Sequence, residues 1–243
     1  MRTLAAALAV RAGSTRLYAK PLQNLADGVT ILGQIVAQFR GIPAVDRIVV
    51  GVAEGRENFA FRDAADRLGV AHIVGSEADV VSRLIGCGRA AGASDVLRIT
   101  TENPFRWFEP LESLWRKHLA DENHLTVTQR VPYGTNVEIY TLSVLEHSHA
   151  AGERYREHAS AYIREHRTSF KVGWIDGEGP VRRPDLRLSV DNPEDLVLAR
   201  AVYAALAERA PMIPLAEIVA FLDGRPDLKA LVAPYAQPST PWT

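Results

Sequence analysis

The chain contains one cysteine, Cys87, in 243 residues. A lone thiol closes no internal disulfide and cannot build a cysteine-based zinc cluster, which suits a reducing cytoplasm. Flanked by Gly86 and Gly88, it reads as a small packing residue on a helix and not as a nucleophile. The seven histidines form no HExxH pair, which removes that metalloprotease class. His147 and His149 stand two apart and would not share a helix face. Aromatic residues make up 7% of the chain, too few for a stacking platform, so Trp107, Trp115 and Trp174 read as packing anchors. No apolar run approaches the ~20 residues a membrane span requires. The longest near the start, Leu4–Val10, stops at Arg11 and is short for a secretory h-region with its cleavage site. A formal charge of −1 argues against a protein that coats nucleic acid.

What is present is enough apolar content, 47% hydrophobic against 23% charged, to bury one sizeable core. Apolar strands alternate with helical spacing. Leu4–Val10, Arg47–Ala53 and Asp95–Thr100 read as strands. Ile31, Leu32, Ile35, Val36 and Phe39 follow a helical period, with Gly41 beyond as a stop. Phe61, Ala64, Ala65 and Leu68 mark a second helix. A short strand follows at 71–74, and Ser76 to Asp79 has capping-box form opening a helix to about residue 91. Pro110 starts another, to about 119. Further helices are expected over 155–166, 193–209 and 215–222. Strands are expected over 124–129, 137–140, 170–175 and 186–190. The pattern predicts an α/β fold, with a mostly parallel, mixed central sheet and helices on both faces. The helix-free stretch 124–140 breaks the alternation, as a substrate-binding subregion would. One domain over 1–232 is expected. The proline-rich tail, 233–243, reads as extended or disordered.

The first strand runs into Arg11, Ala12, Gly13, Ser14, Thr15, Arg16, Leu17, Tyr18, Ala19 and Lys20. Three cations, two hydroxyls and a glycine that lets backbone approach a ligand suit a polyphosphate. A polar surface loop is the plainer explanation. The Walker pattern GxxxxGK[ST] is absent. Two acids, Glu102 and Asp191, each follow an apolar strand. Ligands of open α/β sheets gather outside strand carboxyl ends, so both carboxylates could face the basic loop across one cleft. Mg²⁺ takes one or two carboxylates with phosphate and water oxygens. Asp191 serves equally well as the N-cap before Asn192, Pro193 and Glu194, and the cap and ligand readings both stand. Asp195 reads as an exposed first-turn charge. Arg98, Arg156 and His158 are candidate binders of an acidic acceptor. For His158 a structural or solvated place on a helix rim is the stronger explanation. Tyr133 and Asn136 fit either substrate contact or turn chemistry.

Five ordered segments resemble the sugar-acid cytidylyltransferases: the CMP-ketodeoxyoctonate and CMP-acylneuraminate synthetases and, most closely, the SpsF-like spore-coat polysaccharide proteins. RAGSTRL with the following Lys20, Pro21 and Leu22 resembles the signature loop. LRITTEN before Pro104 resembles R-[IV]-T-G-D-x-P. Gly134 and Glu138 resemble a substrate segment, and Arg156, Glu157, His158, Tyr162, Ile163, Glu165 and His166 an R-E-H-x-x-x-Y-I-x-E-H helix. LRLSVDNPEDL resembles L-R-x-T-V-D-x-P-E-D-L. The likeness spans roughly residues 4–206.

The resemblance implies a nucleotide-diphospho-sugar transferase fold of GT-A type. It implies an Mg²⁺-dependent enzyme that joins CTP to an acidic sugar of the 2-keto-3-deoxy class and releases pyrophosphate, in cell-surface polysaccharide precursor synthesis. Arg11, Arg16 and Lys20 would act on the triphosphate, with Gly13, Ser14, Thr15 and Arg98 also binding nucleotide. Tyr133, Asn136, Glu138, Arg156 and His158 would bind the acceptor, and Glu102 and Asp191 the metal. A cytoplasmic homodimer is implied, packed through 131–166. The chain departs from the pattern at Thr101 and Glu102, where Gly and Asp are expected. That leaves three other readings: a phosphonate or small phosphorylated acid as acceptor, a catalytically impaired nucleotide-binding homologue, or a nucleotide-sugar glycosyltransferase. The last commonly uses Asp-x-Asp, which this chain lacks.

Overall fold

The computed structural model describes residues 2–236 and 240–242. Its centre is a seven-stranded sheet in the order β5-β4-β1-β6-β8-β7-β9. The strands are β1 (Leu4–Val10), β4 (Arg47–Ala53), β5 (Ala71–Gly75), β6 (Asp95–Thr100), β7 (Leu125–Gln129), β8 (Glu138–Thr141) and β9 (Val172–Asp176). β2 (Asn24–Ala26) and β3 (Val29–Thr30) form a separate two-stranded piece. The helices are α1 (Ile31–Arg40), α2 (Phe59–Arg67), α3 (Val80–Ala90), α4 (Leu111–Ala120), α5 (Leu142–Ala150), α6 (Ala161–Glu165), α7 (Pro193–Ala205), α8 (Leu215–Asp223) and α9 (Pro226–Val232).

β1 pairs in parallel with β4 and β6, β4 with β5, and β7 with β9. Among the described residues of the seven-stranded sheet, β8 alone runs antiparallel to its neighbours, β6 and β7; the separate β2–β3 pair is also antiparallel. The chain leaves β6 through α4, places β7 one position too far, and returns to fill the gap with β8. This is the break in alternation that the 124–140 stretch signalled.

β1 shows why the first strand reads as a continuous apolar run. Leu4, Ala6, Leu8 and Val10 enter one core, while Ala7 enters the other. A strand with helices on both faces has no polar side to present. Cys87 lies in the second core, its Sγ 3.1 Å from where a Cβ on Gly51 would sit. Burial pushes its thiol up to about 12, so it packs and does not react at neutral pH.

Several expected elements change. Residues 155–166 do not form one helix: a 3-10 turn at Glu153–Tyr155 precedes α6, and another at Arg167–Ser169 follows it. The Arg156 carbonyl is drawn out to accept the Val81 N–H at 3.0 Å, which breaks the helical ladder. Residues 186–190 make only an isolated parallel bridge, Tyr133 to Arg187. α3 starts from Asp79, whose carboxylate accepts the Ser82 N–H at 2.8 Å, and not from Ser76. α5 and α9 had no counterpart in the periodicity reading. α5 is capped by Thr141 through the Val144 N–H. In the tail, Ala233–Tyr235 forms a 3-10 turn, and residues 237–239 and 243 lie outside the described residues. Trp242 is buried in the second core, its N–H donating to Gln129 Oε1 at 2.7 Å.

Candidate active site

A cleft of about 760 Å³ opens beyond the carboxyl ends of β1 and β6. Because the two strands are neighbours, their following loops face each other. The loop after β1 is pinned at both ends. Ala12 N–H donates to the buried Asn58 side chain at 2.7 Å, and Ala19 N–H returns to the Ala12 carbonyl at 3.0 Å. Ala19 takes a left-handed conformation, φ 46°, which turns the chain into the 3-10 turn Lys20–Leu22. Arg11, Gly13, Ser14, Thr15, Arg16 and Lys20 all line the cleft.

Asp191 meets this loop across the cleft. Its Oδ1 accepts from Lys20 Nζ at 2.7 Å and lies 3.5 Å from the more exposed Arg16. Its Oδ2 accepts from Arg187 Nη2 at 2.8 Å and Ser189 Oγ at 3.0 Å. Burial pushes the Asp191 carboxyl up, but Lys20, Arg187 and Ser189 together outweigh it and hold the group at about 2. Glu102 is brought alongside by the backbone, since its carbonyl accepts the Val190 N–H at 3.3 Å. The Glu102 side chain lines the cleft and makes no hydrogen bond or ion pair among the described residues. The neighbouring Thr101 is buried, its hydroxyl donating to the Ala9 carbonyl at 2.9 Å. The extra bulk at that position is therefore used to tie β6 to β1.

The cap assignment at α7 is corrected. Asn192, not Asp191, is the N-cap. Asp195 is not an exposed charge: it is 2% exposed, grips Arg187 through two hydrogen bonds of 2.8 and 2.9 Å, and accepts the backbone N–H groups of Asp191 and Asn192. Arg187 therefore joins two acids, one buried beneath the cleft and one facing it.

Arg98 and His158 also line the cleft. Arg98 pairs with Glu138 at 2.9 Å, and Tyr140 donates to the same Glu138 oxygen at 2.8 Å. Glu138 thus orients Arg98 from below. Tyr133 lies outside the cleft lining, within 5.3 Å of the Arg187 guanidinium, and burial followed by the Asp191 charge raises its hydroxyl. Asn136 also lies off the lining, and its carbonyl accepts from Arg106 at 2.8 Å. Burial lowers Arg106 to about 10. It further binds the carbonyl and hydroxyl of Thr100, so it locks the end of β6 to this loop. Arg156 points to Asp79 and Glu153 and does not line the cleft.

Two cleft residues escaped the sequence reading. Arg83 is 2% exposed, donates to the Val10 carbonyl at 2.8 Å, and leaves Nε without a hydrogen-bond partner. Burial first, then the Arg11 charge, lowers its pKa. Its signal was an arginine among Val81, Leu84, Ile85 and Cys87, on the buried face of a helix. Glu77 lies against the loop: a Cβ on Gly13 would fall 2.8 Å from its Oε1. Close approach at Gly13 therefore has a side-chain cause as well.

Comparison with known proteins gives these features a context. A family model described as Cytidylyltransferase matches residues 5–220. The spore coat polysaccharide biosynthesis protein SpsF of Bacillus subtilis is 27% identical over 89% of this chain and 92% of its own length. A cytidylyltransferase from Leptospira borgpetersenii superposes with a TM-score of 0.86 at 20% identity, covering 100% of both chains. A CMP:2-keto-3-deoxy-manno-octonic acid synthetase complexed with CTP superposes with a TM-score of 0.63 at 16% identity, over 84% of this chain and 99% of its own.

Proposed function

The chain belongs to the cytidylyltransferase family and is a nucleotidyltransferase that uses CTP; on that premise we propose that it joins CTP to an acidic sugar of the 2-keto-3-deoxy class and releases pyrophosphate. The observation that carries the reading is the meeting of the Arg11–Lys20 loop with Asp191 and Glu102 across one cleft. The synthetase neighbour's name and the polysaccharide role in SpsF's name favour a sugar acid, in cell-surface polysaccharide precursor synthesis.

An acceptor oxygen attacks the α-phosphorus in line. The new P–O bond forms as the bridging bond between the α-phosphorus and the β-phosphate oxygen breaks, pyrophosphate leaves, and the acceptor hydroxyl's proton passes to solvent water. Arg11, Arg16 and Lys20, with the Gly13, Ser14 and Thr15 loop, take up the triphosphate and the charge that grows on departing pyrophosphate. Lys20, whose Nζ lies 2.7 Å from Asp191 Oδ1, transfers from Asp191 to a phosphate oxygen. Arg98, braced by Glu138, and His158 face the acceptor, while Tyr133 and Asn136, off the cleft lining, act from behind it through Arg187 and Arg106. No covalent enzyme intermediate is needed.

The site suits Mg²⁺. Among the described residues the Glu102 carboxylate makes no hydrogen bond or ion pair, and Asp191, its oxygens held by Lys20, Arg187 and Ser189, lines the same cleft. That donor set matches an ion that keeps water and substrate phosphates in its shell. Bound by Glu102 and Asp191, the ion would neutralise the α-phosphate.

The protein is further proposed to act as a homodimer through 131–166, in the cytoplasm. The family resemblance supports the first, and the single buried Cys87 suits the second. Among the described residues no helix is long and apolar enough to cross a membrane.

A nucleotide thermal-shift panel with Mg²⁺ tests the donor. CTP at 100 times its Kd stabilises by about 2.7 kcal/mol, and a flat response to CTP with a clear one to UTP or GTP overturns the reading. Pyrophosphate release is then measured against sugar acids, phosphonates and phosphorylated acids. Turnover confined to phosphonates or phosphorylated acids moves the acceptor to that class. CTP binding without turnover on any of them identifies an impaired homologue.

A further inference from the structure

The segment carrying Glu157 and His158 reaches the cleft with almost no regular structure of its own. It lies between the 3-10 turn Glu153–Tyr155 and the five-residue helix α6. Glu157 lies 3.9 Å from Arg11 of the basic loop, and the segment is tied to α3 through one carboxylate and one backbone bond. Asp79 caps α3 by accepting the Ser82 N–H through Oδ1 at 2.8 Å. Its Oδ2 lies 2.7 Å from His149 Nε2, at the end of α5, and 3.5 Å from Arg156 Nε. Arg156 is further paired with Glu153 at 3.2 Å. The backbone repeats the link, since the Arg156 carbonyl accepts the Val81 N–H at 3.0 Å.

α3 is also a wall of the nucleotide cleft, through Val80, Arg83 and Leu84. The next residues after Arg156, Glu157 and His158, line the same cleft. Asp79 is 9% exposed and does not line the cleft. It therefore joins two cleft-lining segments without lining the cleft itself.

We infer that Asp79 is a positioning residue that ties the acceptor-side segment 153–160 to the nucleotide-side helix α3, so that CTP binding against α3 steadies Glu157 and His158 for the acceptor. This rests on the proposed use of the cleft and deepens it. It also assigns Arg156 a role in holding the segment instead of in touching substrate. A ligand that stiffens one wall lowers the ordering cost at the other when the two are mechanically joined.

Amide hydrogen exchange tests this without the acceptor being known. The probe is CTP with Mg²⁺ on the full chain. In the unaltered protein CTP should slow exchange at Val81 and across 153–160 by roughly fivefold or more, the usual scale of coupling between sites. Asp79→Asn keeps the helix cap, because Asn caps as well as Asp, but removes the charge that holds Arg156. It should abolish the slowing at 153–160 while CTP affinity stays within about threefold of the original. Arg156→Ala should do the same and Arg156→Lys should restore part of it. Slowing at 153–160 that persists in Asp79→Asn overturns the inference. So does a fall in CTP affinity that accompanies the loss, because Asp79 would then belong to the nucleotide site itself. If CTP does not bind the unaltered protein, the proposed donor has failed and this inference fails with it. If CTP binds and slows 153–160 in both forms, only this inference has failed. Where a sugar acid is turned over, Asp79→Asn should raise its KM and leave kcat and the KM for CTP near their original values.

Discussion

Lys20 and Asp191 are 171 positions apart in the chain, and their charged atoms lie 2.7 Å apart. The contact joins the phosphate-suited loop after β1 to the acid that precedes α7. Burial pushes the Asp191 carboxyl up, but Lys20, with Arg187 and Ser189, holds it at about 2 against an ordinary value of 3.8.

Loss of that contact should change the acid limb of stability. Because the folded value is depressed, the Asp191 contribution is complete above pH 3.8 and disappears as pH falls through about 2. It amounts to at most about 2 kcal/mol for a side chain that is 19% exposed. Lys20→Met should raise the Asp191 carboxyl toward its ordinary value, read by carbon-detected NMR titration, and flatten the loss of stability in that window. An unshifted carboxyl would show that Lys20 does not set the charge.

Glu102 should matter for turnover and little for folding, because its carboxylate makes no hydrogen bond or ion pair among the described residues. Glu102→Gln is expected to lower kcat by roughly 100-fold, with stability within about 0.5 kcal/mol. Glu102→Asp should keep much of the activity. Equal turnover by Glu102→Gln and the unaltered enzyme at limiting Mg²⁺ would remove Glu102 from the metal site.

Asp195→Ala should be among the most damaging changes in the chain. The Arg187 and Asp195 side chains are 5% and 1% exposed, and removal of one buried partner strands the other charge at a cost of about 3–5 kcal/mol. Denaturant titration measures it. A loss under about 1 kcal/mol would mean that Asp191 and water suffice to satisfy Arg187.

Gly134→Ala should damage stability and activity together. Gly134 has φ 97°, and a Cβ there would fall 2.7 Å from Ser189 N and 2.9 Å from Ser189 Cα. Positive φ and a backbone clash add to about 2 kcal/mol or more. The displaced neighbour, Ser189, carries the hydroxyl that holds Asp191. Unfolding titration and pyrophosphate release report the two effects, and a change confined to stability would separate this loop from the site.

The strand–helix order was legible wherever a hydrophobic period ran unbroken, as in β1, α1, β4 and β6. It failed where backbone groups leave the local ladder for distant partners, as at Arg156, whose carbonyl serves α3. The basic loop and the two acids were legible because a glycine, hydroxyls and cations after one strand, and carboxylates after others, are local patterns. Which acid lies inside was not: Asp191 and Asp195 both sit at the entry to α7, and only the position of Arg187 decides that Asp195 is buried. Arg83 and Glu77 were missed because a charge on an apolar helix face, or in a loop, gains meaning only when another element closes over it.

The order of residues by itself set the α/β class, the phosphate-suited turn after the first strand, and the absence of disulfide and cysteine-zinc chemistry, since each depends on side chains within a few positions of one another. Three-dimensional packing alone decided that this turn faces Asp191, that Asp195 is its buried support, and that Asp79 at the start of α3 meets His149 and Arg156. Charges select partners by distance in space, and that distance is set by which strands lie side by side.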